Sequence, residues 1–428
     1  MSELEFKDVL RQVPTIDEDV RRVLQALGEP QTYFGEDKAD RRERLVDLLG
    51  RDEDLRARFA ELTGLDRGDG SDADEEEEFY TPGGEELYDA RVFLANYSLA
   101  RARDRIKFQT EYYQNHRPVE VLQERRKYNE SLKKITSQGS QVVSDRCTSV
   151  LRYSNDQKYL ACGSWDGKTY LMNKQLEKLA VLNGHEEKVG GIDWHPHVTS
   201  VVATSGSEGQ VLLHNADTQA VVATLKGHEQ RVARIQFHPS GRFLASASFD
   251  LTWRFWDVEK NKELYYQEGH SKEVFTLAHQ PDGSLLASGG LDGIGHIWDL
   301  RTGKSIMVME DHVKGIYAMD WRKNGYELLT GGGDANLKVW DIRNNRKPKQ
   351  NIVAHKKLIS DIKVSGNDKF MVTTSYDGNL NILSCDNWLV IKQFKAPEKL
   401  MCCDIAPDDE TVVSGGWDRC VNLYNSSL

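Results

Sequence analysis

The sequence predicts a mainly β chain: a seven-bladed β-propeller preceded by a small all-α module and a basic helical segment. Three observations predict it. An acidic residue recurs at a near-constant pitch: Asp166, Glu208, Asp250, Asp292, Asp334, Asp377 and Asp418 are spaced 42, 42, 42, 42, 43 and 41 residues apart. A histidine keeps step upstream, at His185, His228, His270, His312 and His355. A Trp-Asp or Trp-Asp-like finish follows, clearest at Trp256, Trp298 and Trp340. A repeat of about 40–45 residues with a Gly-His start and a Trp-Asp finish is the signature of propeller blades.

Along the chain, residues 1–13 read as a flexible N-terminus and 14–65 as a helical module. Thr15 can cap a first helix that has acids in its first turn. Val20, Val23, Leu24 and Leu27 form its apolar stripe, and Gly28 and Pro30 end it. A second helix is expected over about Asp40–Leu49, with Leu45, Val46, Leu48 and Leu49 inward, and a third over about Asp52–Thr63. Around 50 residues can bury only a small core, so this is a docking module rather than a pocket. Residues 66–84 read as an acidic flexible linker (DRGDGSDADEEEE at its heart).

Residues 85–130 read as a basic helical segment, with a helix from Glu85 to about Gln114. Val92, Phe93, Ala95, Leu99 and Ile106 fall at helical spacing. Arg101, Arg103, Arg105 and Lys107 make it basic, and Arg125, Arg126 and Lys127 follow in a second cluster with tyrosines interleaved. These are the candidate RNA-contacting residues. A solvated helix face packed on the propeller rim is the other reading of the same residues.

The propeller occupies residues 131–428. Around His228 the chain reads GHEQRVARIQFHPSGRFLASASFDLTWRFWDV. Val232, Ile235 and Phe237 lie on a first strand, Pro239-Ser240-Gly241 makes a turn, Phe243 to Ala245 begin a second strand, and Trp253 to Trp256 a third. His228, Ser246, Asp250 and Trp256 have the spacing of the hydrogen-bonded tetrad of WD40 blades. His270, Ser288, Asp292, Trp298 and His312, Thr330, Asp334, Trp340 repeat it. A buried carboxylate and imidazole are tolerable when paired in this way. The remaining blades are degenerate: Leu383 and His214 stand at tryptophan positions, and Tyr424 ends the last. Closing the ring needs one strand from upstream of the first repeat, and about residues 131–143 are expected to supply it as the outer strand of the blade containing Asp418. A catalytic triad is the competing reading of each His/Asp/Ser set. A triad occurs once and in a cleft, whereas this set recurs in every blade.

Charge and composition narrow the function. The net charge is −11, but residues 1–66 carry −6, 67–86 carry −8, 87–134 carry +5 and the rest −2. Nucleic-acid contact would therefore be local to the basic segment. The six cysteines have no metal-ligand spacing and read as buried free thiols. No run of apolar residues is long enough to span a membrane, and MSELEFKDVL is not a secretory signal, so a nuclear or cytosolic compartment is expected.

Two stretches point past a generic propeller. LGEPQTYFGEDKADRRERLVDLL at residues 27–49 resembles the small splicing-factor motif. EEFYTPGGEELYDARVFLANYSLARARDRI at 77–106, with the blade EGHSKEVFTLAHQPDGSLLASGGLDGIGHIWDLRTGK at 268–304, resembles the pre-mRNA-processing factor four family, the WD40 subunit of the U4/U6 small nuclear ribonucleoprotein. The resemblance implies a non-catalytic, nuclear spliceosomal scaffold within the U4/U6 and U4/U6.U5 particles. It implies as partners the RNA-gripping U4/U6 subunit, a cyclophilin and U5-associated tri-snRNP proteins, with U4/U6 snRNA met directly or through them. It implies no cofactor, no metal, no membrane and no small-molecule substrate. A generic WD40 adaptor in another nuclear complex is the alternative. The kinase motif set is absent: no Val-Ala-Ile-Lys strand, His-Arg-Asp loop or Asp-Phe-Gly.

In a WD40 blade the residue before the turn acid, and those three and five after the histidine, open on one face. Here they supply Trp165, Lys188, Arg231, Phe249, Phe275, Leu291, Tyr317, Tyr376, Lys399 and Trp417. Rigid aromatics with basic edges suit a docking site for a peptide or helix.

Overall fold

The computed structural model describes residues 14, 17–33, 36–51, 55, 58–59, 84–344 and 347–425. The chain divides into two compact units, Met1–Thr81 and Pro82–Leu428. The expected flexible N-terminus, nearly all of the linker and most of the third helix lie outside the described residues.

In the first unit, α1 spans Asp17–Ala26 and α2 spans Lys38–Arg51. Val20, Leu24 and Leu27 of the first stripe meet Leu45, Val46 and Leu49 in one small core, which Phe59 completes. Gly28, at φ +84°, takes the left-handed conformation that ends α1, and Glu29 N–H returns to the Leu24 carbonyl at 2.9 Å. The polar residues of the motif fasten the loop between the helices. Arg44 donates to Glu36 at 2.7 Å and to the Pro30 carbonyl at 3.0 Å, and its guanidinium lies 4.4 Å over the Tyr33 ring. Arg41, almost wholly buried, pairs with Asp17 and Glu36. The Arg44 hydrogen bond outweighs burial and holds the Glu36 carboxyl below its ordinary range. Phe34 and Gly35 of the motif lie outside the described residues.

The second unit starts with α3 (Glu85–Asn115) and α4 (Pro118–Leu132), followed by seven four-stranded antiparallel sheets. Blade 1 holds β2 (Thr148–Tyr153) to β5 (Lys178–Leu182). The inner strands of blades 2 to 7 are β6 (Val189–Trp194), β10 (Val232–Phe237), β14 (Val274–His279), β18 (Ile316–Trp321), β22 (Ile359–Val364) and β26 (Leu400–Ile405). The last blade is completed by β27 (Thr411–Gly416), β28 (Cys420–Asn425) and β1 (Thr136–Val142), which pairs antiparallel with β28. The helix before β1 reaches Leu132, past the residue 131 boundary read from the sequence. The second strand of each blade is packed on both faces by its neighbours, so it is built of small and apolar residues such as FLASAS (β11, Phe243–Ser248), all buried. Outer strands such as β13 (Lys262–Gln267) face solvent and read polar.

A hydrogen bond between inner strands joins each blade to the next around the axis. Trp194 indole donates to Arg152 O, Phe237 N–H to Asp193, His279 N–H to Gln236 and Trp321 indole to Ala278 O, at 2.7–3.0 Å. Val364 N–H donates to Asp320 at 2.8 Å, Cys403 N–H to Asp361 at 3.3 Å and Tyr153 N–H to Asp404 at 2.6 Å. All seven joints therefore carry a polar link, which satisfies backbone groups that the short strands would leave buried and unpaired.

The two helices strap the end of the propeller formed by the turns between first and second strands. Phe93 meets Phe243 edge to face at 5.8 Å, and Tyr97 meets His238 at 5.6 Å. Arg105 pairs with Asp282 at 2.8 Å and donates to Asn324 O at 2.6 Å. In α4, Tyr128 packs on Phe370 at 6.2 Å and accepts from Asn367 at 2.7 Å, while Arg125 pairs with Asp386. The apolar residues at helical spacing in α3 do not form one packing face. Val92, Leu99 and Ile106 are 43%, 60% and 56% exposed, whereas Ala90, Leu94 and Ser98 are buried. The small residues let the helix approach the blade loops closely, and Phe93, Tyr97 and Arg105 continue that line.

Candidate functional site

The recurring polar set forms inside blades 2 to 6. In blade 3, His228 Nδ1 donates to Asp250 at 2.7 Å, Ser246 Oγ donates to His228 Nε2 at 2.7 Å, and Trp256 Nε1 donates to Ser246 Oγ at 2.8 Å. The carboxylate can only accept, so the histidine carries a proton on Nδ1. Blade 4 (His270, Ser288, Asp292, Trp298) and blade 5 (His312, Thr330, Asp334, Trp340) repeat it, with every link at 2.8–3.3 Å. Burial is the largest single influence on the Asp334 carboxyl and would raise it, but the hydrogen bond and charge of His312, the Asn336 N–H and Lys338 together hold it down at about 2. Ser246, Ser288 and Thr330 are wholly buried, so none of these hydroxyls can meet a substrate.

The degenerate blades keep the wiring with other atoms. In blade 2, His185 pairs with Glu208, Thr204 meets His185 Nε2 at 2.9 Å, and His214 Nε2 meets Thr204 at 3.0 Å, in place of an indole. Burial, with His185 nearby, pulls His214 down to about 4, so it is neutral near pH 7. In blade 1 the Tyr170 hydroxyl reaches Asp166 at 2.7 Å, and in blade 7 the Tyr424 hydroxyl reaches Ser414 at 3.3 Å. The six cysteines are unpaired, and all but Cys420 are buried.

The turn acids mark the face opposite the helical strap, since the two turns lie at opposite ends of each second strand. Here the backbone links the expected positions in pairs. Phe249 N–H donates to Arg231 O, Leu291 to Glu273 O, Tyr376 to Leu358 O and Trp417 to Lys399 O, at 2.9–3.0 Å. The side chains then meet across blades. Trp165 and Trp417 stand edge to face at 5.8 Å, and Lys399 lies 4.7 Å over Trp417 and 5.7 Å over Tyr376. Lys188 lies 4.5 Å over Trp165 and Arg231 lies 5.3 Å over Phe249. Phe275 touches both Phe249 (6.3 Å) and Tyr317 (5.1 Å). Leu291 sits between them in sequence, against Gly315. The face therefore carries two aromatic arcs edged by cations, a rigid surface suited to a protein segment.

The candidate RNA-contacting residues divide into two groups. Arg105 and Arg125 spend their charge within the fold on Asp282 and Asp386, which corrects the expectation of contact for these two. Arg101, Arg103, Lys107, Arg126 and Lys127 remain exposed. Arg101 donates to Tyr97 OH at 2.7 Å.

Sequence reasoning missed Arg234. It lies five residues before Pro239 on β10 and lines the axis with Arg152, Asp193, Asp361 and Lys363. The signal was available: the position six after the histidine reads Gly191, Arg234, Thr276, Ala318 and Asp361, so its charge varies from blade to blade.

Comparison with known proteins agrees with this architecture. Residues 20–48 match the family described as pre-mRNA processing factor 4 (PRP4) like. Seven segments between residues 132 and 425 match the WD domain, G-beta repeat. The U4/U6 small nuclear ribonucleoprotein PRP4 of Saccharomyces cerevisiae is 44% identical over 430 residues, covering 97% of this chain and 92% of that protein. The U4/U6 small nuclear ribonucleoprotein Prp4 of Homo sapiens is 36% identical over 205 residues, 46% of this chain and 38% of that protein. The PRP4-like protein of Arabidopsis thaliana is 36% identical over 214 residues, 48% of this chain and 38% of that protein.

Proposed function

The chain belongs to the PRP4 family of U4/U6 small nuclear ribonucleoprotein proteins, and from that premise we propose that it is a non-catalytic scaffold subunit of the U4/U6 and U4/U6.U5 particles in pre-mRNA splicing. The observation that carries this is the 44% identity across 97% of the chain, which includes both the N-terminal module and the propeller. A nuclear location follows from membership of such a particle. Every His/Asp/Ser set is spent on closing a blade, so the chemistry left to the molecule is recognition. The cation-edged aromatic face receives protein segments, with the other U4/U6 proteins, a cyclophilin and U5-associated proteins as the partners. The exposed cations of α3 and α4 meet RNA, directly or alongside the RNA-gripping subunit.

A generic adaptor in another nuclear complex would need the residue 20–48 match to be incidental, and the match continues through the whole chain. The test is affinity isolation of the tagged protein from nuclear extract and sequencing of the RNA that accompanies it. Enrichment of U4 and U6 RNA over U1 and U2 supports the reading. Equal recovery of all four would overturn it.

A further inference from the structure

This inference rests on the docking face described above and concerns the chemistry of its occupant. Arg231 sits on that face and Arg234 lines the axis beneath it. Arg152, the other guanidinium at the axis, is paired with Asp361 at 3.4 Å. Arg234 donates to the Gly190 carbonyl at 2.9 Å, lies 5.8 Å over the Phe275 ring and shares the axis with Asp193 and Asp361. Arg231 has the Phe249 ring, and its Nε is buried without a hydrogen-bond partner. Among the described residues no carboxylate closes an ion pair with either. Burial pulls both guanidiniums below their ordinary value; the Arg234 charge adds to this at Arg231, whereas at Arg234 the Asp361 carboxylate opposes it. Arg231 is therefore the half-buried charge left without a carboxylate, a costly arrangement that an acidic ligand would relieve.

The same charge sign continues outward. A cavity of about 480 Å³ opens between blades 5, 6 and 7, lined by Lys314, Lys356, Lys357, Lys399 and Tyr376. The four lysines are exposed, and none of them pairs with a carboxylate among the described residues. Tyr376 lines the cavity, and Lys399 lies 5.7 Å over its ring. The corresponding loops of blades 2 and 3 are mixed in sign, with Glu186, Glu187 and Glu229 beside Lys188 and Arg231. The basic arc consists of the lysines of blades 5 to 7 together with Arg231 of blade 3, and Glu398 stands beside Lys399 in sequence.

We propose that the basic arc holds an acidic segment of a partner protein, with one carboxylate meeting Arg231 and others the lysines, and with apolar neighbours resting on Phe249 and Tyr376. Charge complementarity selects the sign of the occupant. An RNA strand crossing the face would also run over Glu186, Glu187 and Glu229.

An unpartnered charge kept for a ligand leaves a signature that a structural residue does not. Arg231→Met keeps volume and removes the uncompensated charge, so it weakens binding while the unfolding midpoint stays or rises. The experiment selects binders to the immobilised full-length chain from a displayed library of random 12-residue peptides. The expected binders are rich in Asp and Glu with an aromatic or aliphatic neighbour, and Arg231→Met and Lys356→Gln/Lys357→Gln each weaken them about tenfold or more, with steep salt dependence. Neutral or basic binders that are lost on Trp417→Ala would overturn the acidic occupant and leave the docking face standing. Acidic binders indifferent to Arg231→Met and to the lysine pair would also overturn it. Binders indifferent to every substitution on this face, or no binders at all, would overturn both readings. A single-stranded RNA 20-mer that binds wild type but not these variants, with no acidic peptide selected, would assign the arc to RNA instead.

Discussion

Asp404 of the last blade accepts the backbone N–H of Tyr153 of the first blade at 2.6 Å, and so ties the ends of the ring from the inside. From the outside the same seam is held by β1 on β28. Asp404→Ala leaves a buried N–H without a partner, which costs about 1–3 kcal/mol of stability. Asp404→Asn retains an acceptor and should cost clearly less. Chemical denaturation of the three proteins checks this, and equal loss in both variants would show that charge rather than the hydrogen bond matters at the seam.

Ser246 links His228 to Trp256 and has no exposed surface. Ser246→Ala should lower stability by about 1–3 kcal/mol, through the unsatisfied imidazole and indole. Partner and RNA recovery should remain at wild-type level at temperatures where the variant is folded. A variant of normal stability that fails to bind would give the tetrad a role in recognition.

His214 makes blade 2 sensitive to pH. Its folded-state value is about 4 against an ordinary 6.5, so between those values the unfolded chain binds more protons at this site. Its contribution is complete above pH 6.5 and is lost as pH falls toward 4, by up to about 3 kcal/mol. His214→Trp restores the indole used in blades 3 to 5, and Gly184 stands against His214 as Gly269 stands against the Trp298 indole. The unfolding midpoint of the variant should exceed wild type by more at pH 5 than at pH 7.5. The same difference at both pH values would remove His214 as the cause.

Arg105 and its neighbours Arg101 and Arg103 should separate structure from RNA contact. Arg105→Glu sets a carboxylate against Asp282 and should free α3 to hydrogen exchange and proteolysis. Arg101→Glu/Arg103→Glu should leave α3 protected. It should weaken association with U4/U6 RNA and flatten its salt dependence. An unchanged salt slope would place RNA contact elsewhere.

Periodicity made the ring legible, and local chemistry made the face legible, but each for a different reason. The turn acids recur because every blade needs one, so Asp166 to Asp418 reveal blade count and tetrads from spacing alone. Phe249 and Trp417 could be placed because their positions are fixed relative to those acids. The packing side of α3 was not legible. Its most apolar stripe, Val92, Leu99 and Ile106, faces outward, while small Ala90 and Ser98 make the close approach. Nor could sequence tell that Arg105 would find Asp282, 177 residues away, and Arg103 would not. In the first unit the motif that carried the resemblance turned out to be wired into its own loop, through Arg41 and Arg44.

The central claim is that the cation-edged aromatic face holds the chain in its particle. Phe249→Ala/Tyr376→Ala/Trp417→Ala tests it most directly, in a tagged full-length protein isolated from nuclear extract. The account predicts that the partner U4/U6 proteins fall away while circular dichroism and the unfolding midpoint stay close to wild type. Undiminished recovery of those proteins by a folded triple variant would contradict it.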